Sequence, residues 1–174
     1  MSALRTLEAS LDDVFAKNAP ALPSNAKKII VEYLPYVSVF LGTLTLLAAW
    51  GLYDAARTVN TLIDYAGSFD SVYGSGMAVN HLTATVWLSI AVLVIEGLLY
   101  IAAFKPAKER KKSGWDLLFY ALLINMAYGI IITFTYYGGL GRLLGTLIGS
   151  AAGLYFLFQI RASYKVRSTK KASR

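Results

Sequence analysis

The chain has 174 residues, of which 56% are hydrophobic and 16% charged, and its mean hydropathy is +0.52. Because about 25% of residues are charged in average soluble domains, this composition predicts an integral membrane protein. Seventeen Lys and Arg against ten Asp and Glu give a net charge of +7. The absence of Cys excludes disulfides, iron–sulfur clusters and thiolate metal sites, and the single His excludes the paired imidazoles of a membrane haem protein. We therefore expect no cofactor and no metal.

The first 28 residues predict a cytoplasmic amphipathic helix followed by a linker that contains Pro20 and Pro23. Apolar side chains recur at helical spacing on one face of this segment, at Leu4, Leu7, Leu11, Val14 and Phe15. Two interpretations stay open. The helix either lies at the lipid interface or against the bundle, or it docks a partner.

Residues 29–160 contain four apolar segments that are long enough to cross about 30 Å of hydrocarbon as helices. They cover residues 34–52, 82–104, 117–137 and 143–160. Pro35 falls in the first turn of the first segment, where its missing N–H costs little, and Pro106 ends the second. The sequence therefore predicts an all-α fold, a polytopic membrane four-helix bundle with an N-terminal amphipathic helix.

The sequence also predicts the structure of two connections between these spans. Beyond residue 52 the chain keeps apolar side chains three or four apart as far as Tyr65, so the first span can continue outward before a loop over residues 67–76. Gly138, Gly139 and Gly141 indicate a short turn between the third and fourth spans. Such a short turn predicts an antiparallel hairpin.

The basic residues predict the orientation. Fifteen of the seventeen Lys and Arg lie before the first span, between the second and third spans, or in a basic tail over residues 161–174. Only Arg57 and Arg142 lie in the other two connections. Since basic segments that flank membrane spans are retained in the cytoplasm, we expect both termini to be cytoplasmic, in the inner membrane.

Glu96 is the strongest candidate for a functional polar group, because a carboxyl group inside a membrane span is costly and usually faces the bundle interior. Counting along the spans places Asn125, Thr43 or Thr45, and Ser150 at a similar depth, so we predict an intramembrane polar layer. Two interpretations stay open. Glu96 either forms a structural hydrogen bond to Asn125 or acts as a protonatable or cation-binding group.

The fourth span carries four glycines at strict intervals of four residues, at Gly141, Gly145, Gly149 and Gly153. Small residues at this spacing let a second helix approach closely along one face. The second helix belongs either to this chain or to another molecule. We refer to these four residues as the glycine strip.

The connection between the second and third spans is strongly basic. Its candidate lipid head-group ligands are Lys108, Arg110, Lys111 and Lys112. Each basic residue near an anionic membrane surface contributes about 1 kcal/mol of attraction. The cytoplasmic retention of basic segments already explains these charges, so we expect membrane lipid as a partner and no nucleic acid.

Two segments, Lys111–Tyr120 and Gly149–Arg161, resemble parts of small uncharacterised four-span bacterial membrane proteins. The resemblance covers roughly the second half of the chain and implies a bacterial four-span fold. It brings no catalytic motif.

The function that we predict from these features is that of a non-enzymatic subunit or scaffold that acts through helix–helix association, as a homo-oligomer or in a larger membrane complex. The alternative is a small oligomeric transporter or channel in which Glu96 couples to protons or cations. Catalysis is not expected. His81 lies near Ser75, but Tyr73–Gly76 does not match the G-x-S-x-G pattern of a nucleophile elbow.

Overall fold

A computed structural model describes residues 2–73, 84–133 and 140–164, and over these ranges the backbone is helical with short connections and contains no β-strand. The helices are α1 (Ser2–Asp12), which a π-helical turn prolongs over Asp13–Lys17, α2 (Ser24–Tyr73), α3 (Ala84–Lys108), α4 (Lys112–Thr133) and α5 (Leu140–Gln159); a 3₁₀ turn follows over Arg161–Ser163. The predicted all-α class is confirmed. Ser75, His81, the predicted turn glycines Gly138 and Gly139, and the tail beyond Tyr164 lie outside the described residues.

Three of the helices have the length and apolar character that crossing a membrane requires. These stretches cover Ser24–Tyr65, Ala84–Lys108 and Lys112–Thr133, and they correspond to the first three predicted spans. The described apolar part of α5, Leu143–Gln159, is shorter. The three long apolar helices indicate a membrane protein.

The bounds of α2 correct three predictions. The helix starts at Ser24, so the linker ends at residue 23 rather than 28, and Pro35 lies in the helix interior rather than in its first turn. The helix also continues to Tyr73, through most of the segment predicted as a loop. With 50 residues, α2 is about 75 Å long, more than twice the hydrocarbon thickness of about 30 Å.

The connection between α3 and α4 is tighter than predicted. The second span was expected to end at residue 104, but α3 includes Pro106 in its last turn and ends at Lys108. Arg110 then adopts a left-handed conformation (φ 51°), and the amides of Arg110 and Lys111 donate to the carbonyls of Ala107 and Pro106 at 2.9 Å. These two bonds form a Schellman motif, which ends the helix and allows α4 to start at Lys112 rather than near 117.

Helices α2 to α5 pack in the order of the sequence, each against the next. The core lies at the end of the bundle where α1, the α3–α4 connection and residues 161–164 meet, which we call the basal end; the opposite end is the distal end. This core contains Val31, Ala103, Ala107, Trp115, Leu118, Phe119, Leu154, Leu157, Phe158, Ile160 and Tyr164. Trp115 is at its centre, fully buried, and its indole N–H donates to the carbonyl of Leu157 at 2.8 Å.

Candidate functional site

Glu96 and Asn125 are in contact between α3 and α4. Glu96 is only 3% exposed, and its Oε2 accepts a hydrogen bond from Asn125 Nδ2 at 3.4 Å. Its second oxygen, Oε1, is buried without a hydrogen-bond partner among the described residues. A second polar contact lies nearer the distal end of the same helix pair, where the hydroxyl of Tyr128 donates to Ser89 Oγ. The α3–α4 interface thus contains the predicted contact of Glu96 with Asn125, in which Glu96 is buried and Asn125 is exposed.

Ser150 lies at the same level as Asn125. In the antiparallel α4–α5 pair Leu122 is next to Gly153 and Thr146 is next to Gly129, so the register places Ser150 opposite Asn125. The Ser150 side chain is buried, and its hydroxyl has no hydrogen-bond partner in the described part of the chain. No hydrogen bond therefore connects it to Glu96 or Asn125.

Thr43 does not belong to the polar layer, which corrects the prediction for this residue. Its side chain is exposed and its hydroxyl donates to the Val39 carbonyl of its own helix at 2.9 Å. The reason is helix phase: at this depth the face of α2 toward α3 is formed by Gly42 and Leu46. Thr43, one residue further on, is rotated off that face.

The glycine strip divides into two parts. Gly141, Gly145 and Gly149 are exposed, and a Cβ atom built on any of them meets no other atom within 4 Å. A Cβ on Gly153 would lie 2.9 Å from Leu122 Cδ2, so this glycine packs against α4. The intrachain interpretation of the strip therefore holds for Gly153 only, and the other three glycines leave an open strip on the outer face of α5.

The glycines that let helices of this chain approach one another lie elsewhere. A Cβ on Gly42 would lie 2.8 Å from Ile101 and 2.9 Å from the Gly97 carbonyl, and a Cβ on Gly129 would overlap Thr146. None of them is part of a repeated glycine pattern. The residues that they contact lie 17 or more positions away in sequence, so the spacing of residues along the chain does not predict these contacts.

The four predicted lipid ligands have different surroundings. Lys108 Nζ lies 5.9 Å from the Tyr36 ring centroid, and Arg110 is exposed. Lys111 forms an ion pair with Glu109, and Lys112 lies 3.6 Å from Glu8. Two of the four cations thus already have a carboxylate partner within the chain.

The N-terminal helix is held against the basal end of the bundle. Arg161 forms ion pairs with Glu8 and, at 2.8 Å, with Asp12. The Arg161 guanidinium also lies 5.3 Å from the Trp115 ring centroid, and Phe15 stacks on Phe158 with centroids 6.4 Å apart. Of the two interpretations of this helix, the structure shows packing on the bundle.

The linker from the N-terminal helix to α2 crosses α5. The Tyr155 hydroxyl donates to the Pro20 carbonyl at 2.7 Å, and the Gln159 amide donates to the Phe15 carbonyl at 2.9 Å. The amide of Leu22 in turn donates to Gln159 Oε1 at 3.2 Å. The sequence reasoning did not find Gln159, because its partners are backbone groups more than 130 residues away.

Residues 161–164, the start of the predicted tail, also pack on the bundle. Arg161 is bound to α1, and Tyr164 is buried in the core. Burial raises the pKa of the Tyr164 phenol to about 12, although the charge of Arg110 opposes this shift. The predicted tail over 161–174 is thus wrong for residues 161–164, because Arg161 makes a cation–π contact with Trp115 and Tyr164 is buried in the core.

No protein-family model matches the chain, and neither a curated protein nor a solved structure is found to be similar to it.

The candidate residues offer two kinds of chemistry: the open glycines can contact another helix, and the Glu96 carboxyl can gain or lose a proton. The open strip offers close backbone approach, and the Glu96 carboxyl is one titratable group enclosed among apolar helices. These two features support different functions.

Proposed function

We propose that this protein is a non-enzymatic integral membrane protein of four spans that acts as a subunit or scaffold through helix–helix association, and that its partner is a second copy of the same chain. The supporting observation is the open strip of Gly141, Gly145 and Gly149. Within membranes, helices associate where small residues permit close contact, since lipid is as apolar as leucine and supplies no hydrophobic driving force.

The surroundings of the open strip support this role. Two side chains beside it, Leu144 and Ile148, are apolar and exposed, at 58% and 69%. Because α5 is the last helix in the row and packs mainly on α4, its outer face has no neighbour among the described helices. A strip with a four-residue repeat is self-complementary, so two copies of α5 can pack on a two-fold axis.

In this proposal α5 is the fourth span. Its 20 residues extend over about 30 Å, the hydrocarbon thickness of a typical bilayer. The charge distribution of the sequence then supports cytoplasmic termini and an inner membrane location, with α2 projecting outward beyond Trp50. A cysteine at Ser24 tests this orientation, since an impermeant thiol reagent must fail to label it from outside intact cells.

The association is tested by Gly145→Leu. We expect this substitution to convert a dimer to a monomer in mild detergent, because a leucine side chain keeps the two α5 backbones apart. The free energy of unfolding of the protomer should not fall and should rise by about 0.5 to 1 kcal/mol, because leucine has the better helix propensity and no described atom outside the helix's own backbone lies within 4 Å of a Cβ at this position. Analytical ultracentrifugation together with thermal unfolding measures both quantities.

Gly51→Leu is the matched control. Gly51 is also helical and open within 4 Å, but it lies on α2 outside the strip, so this variant must remain dimeric. In membranes, Gly145→Cys should cross-link two copies, and the chain has no other Cys to interfere. Dimers that persist in Gly145→Leu, or no cross-linking in membranes, would refute the proposal.

A transporter or channel coupled by Glu96 is the second candidate, favoured by the buried Oε1 that has no partner among the described residues. In that case protonation must change with ligand or pH. Glu96→Gln keeps the hydrogen bond to Asn125 but cannot titrate, so it would abolish any difference in stability between pH 5 and pH 8.

If Glu96 is structural, as we propose, the pH profiles of the wild type and Glu96→Gln coincide. Glu96→Leu then lowers the free energy of unfolding by about 1 kcal/mol, because Asn125 loses its partner in the membrane. Thermal unfolding of the three proteins at both pH values distinguishes the two functions. A pH dependence that disappears in Glu96→Gln would support the transporter.

A further inference from the structure

A groove of about 210 Å³ separates α2 from α5, the first and last helices of the row. One wall is formed by Ile30, Leu34, Val37 and Leu41 of α2, and the other by Gly153 and Phe156 of α5 and by Ile160, which follows it. From Ile30 to Leu41, eleven steps of about 1.5 Å along α2, the groove is about 16 Å long. It is therefore long, narrow and parallel to the helices.

The groove is suited only to an apolar occupant. Apart from Ser38 and Tyr100, every side chain that lines it is apolar. Ser38 is buried, and its hydroxyl already donates to the Pro35 carbonyl at 2.7 Å. Water in the groove would find too few hydrogen-bonding partners, since a buried water needs two to four of them.

A lysine lies about one helical turn before the basal end of the groove. Lys27 precedes Ile30 by three residues and Leu34 by seven, so it shares their helix face. It forms no ion pair with any residue in the described ranges, whereas Arg161, which follows α5, is bound to Glu8 and Asp12. Lys27 can therefore receive an anion.

The linker closes the basal side of α5. Its residues Pro20 and Leu22 are hydrogen-bonded to Tyr155 and Gln159, and it leads directly into the first turn of α2. The groove itself is bounded by α2 and α5, and Tyr100, Leu118 and Leu122 of α3 and α4 also line it. A molecule that fills it must combine a single hydrocarbon chain with an anionic group at the basal end.

We propose that this groove binds one acyl chain of an anionic phospholipid, with the phosphate of that lipid at Lys27. The lipid would fill the gap that remains because α2 and α5 do not pack on one another. This site lies between α2 and α5, one helical turn beyond the open strip, since Gly153 lines it and Gly149 does not. Its lining belongs to a single copy of the chain, so it does not depend on association of two copies.

The experiment uses the purified full-length protein in mild detergent, with native mass spectrometry to count retained phosphatidylglycerol or phosphatidylcholine. We expect one retained phosphatidylglycerol per protomer. Val37→Trp, which fills the groove, should lose this lipid. Val94→Trp on α3 makes the same change at an exposed position that does not line the groove, and it should retain the lipid.

The charge is tested by Lys27→Gln. We expect the preference for phosphatidylglycerol over phosphatidylcholine to fall about fivefold, the equivalent of about 1 kcal/mol for one basic residue near a membrane surface. Lys28→Gln, one residue away and off the groove face, should leave the preference unchanged. These lysines lie in the first turns of α2, so both variants remain informative even if Val37→Trp does not fold.

Three outcomes would overturn the proposal. They are equal retention of both lipids by the wild type, equal loss in Lys27→Gln and Lys28→Gln, and conversion of dimers to monomers by Val37→Trp with the lipid retained. The last result would assign the groove to a second copy of the chain. Because dimer formation is scored separately from lipid retention, failure here is distinguishable from failure of the association through α5.

Discussion

Trp115→Ala is expected to lower the free energy of unfolding by about 3 to 5 kcal/mol, the range for removing a large aromatic side chain from a core. Trp115 is fully buried and stacks on Phe119 with ring centroids 5.1 Å apart. It also makes an edge contact with Phe158 at 5.2 Å and lies under the Arg161 guanidinium. The substitution therefore removes the centre of the basal core and the surface on which Arg161 rests.

Trp115→Phe distinguishes the contribution of the aromatic ring from that of the indole hydrogen bond. It keeps an aromatic contact with Phe119 and Phe158 but leaves the Leu157 carbonyl without the indole N–H. We expect a smaller loss, of which about 1 kcal/mol comes from the hydrogen bond. Denaturant-induced unfolding in detergent measures both variants. Equal stability of Trp115→Ala and the wild type would show that this cluster does not hold the helices together.

Gly114→Ala is expected to destabilise the protein by about 1 to 3 kcal/mol or more, although it adds only one methyl group. A Cβ at this position would lie 2.7 Å from both Ala107 Cα and the carbonyl carbon of Pro106. These are backbone atoms of the preceding helix, which cannot rotate away as a side chain can. The α3–α4 connection would have to open.

Gly51→Ala is the control, and its expected effect on the free energy of unfolding has the opposite sign. Gly51 lies inside α2 with no atom near its missing Cβ, so alanine should stabilise the helix by about 0.5 to 1 kcal/mol. Both variants carry the same chemical change, so the difference between their midpoints of unfolding reports the α3–α4 contact alone. A Gly114→Ala variant as stable as Gly51→Ala would contradict the close approach.

Counting residues along the spans predicts the depth of a side chain such as Glu96, but not the direction in which it faces. Rise per residue and the ends of two spans were sufficient to place Asn125 beside it, and the structure connects the two side chains. The same counting failed for Thr43, because depth does not determine which way a side chain faces around the helix. The rotational phase of α2 is set by its packing on α3 through Gly42 and Gly97.

The helix ends were likewise predicted only in part. Pro106 and the charges around it correctly predicted an interruption near residue 105, but the bound was four residues early. The turn was decided by Arg110 in a left-handed conformation and by the contact of Gly114 with Ala107. A non-glycine residue with positive φ is uncommon, so residue type alone does not predict this turn.

Hydrophobic periodicity and segment length are local properties, so they predicted the helical class, the amphipathic N-terminal helix and four spans, three of which correspond to the long apolar helices. Contacts between distant helices could not be predicted in this way: Gly153 packs inward while Gly141, Gly145 and Gly149 stay open, and Arg161 binds Glu8 and Asp12 across some 150 residues. The groove between α2 and α5 could not be predicted from local properties either. These features depend on which faces of distant helices meet, and that choice is made by packing of the whole chain rather than by any one segment.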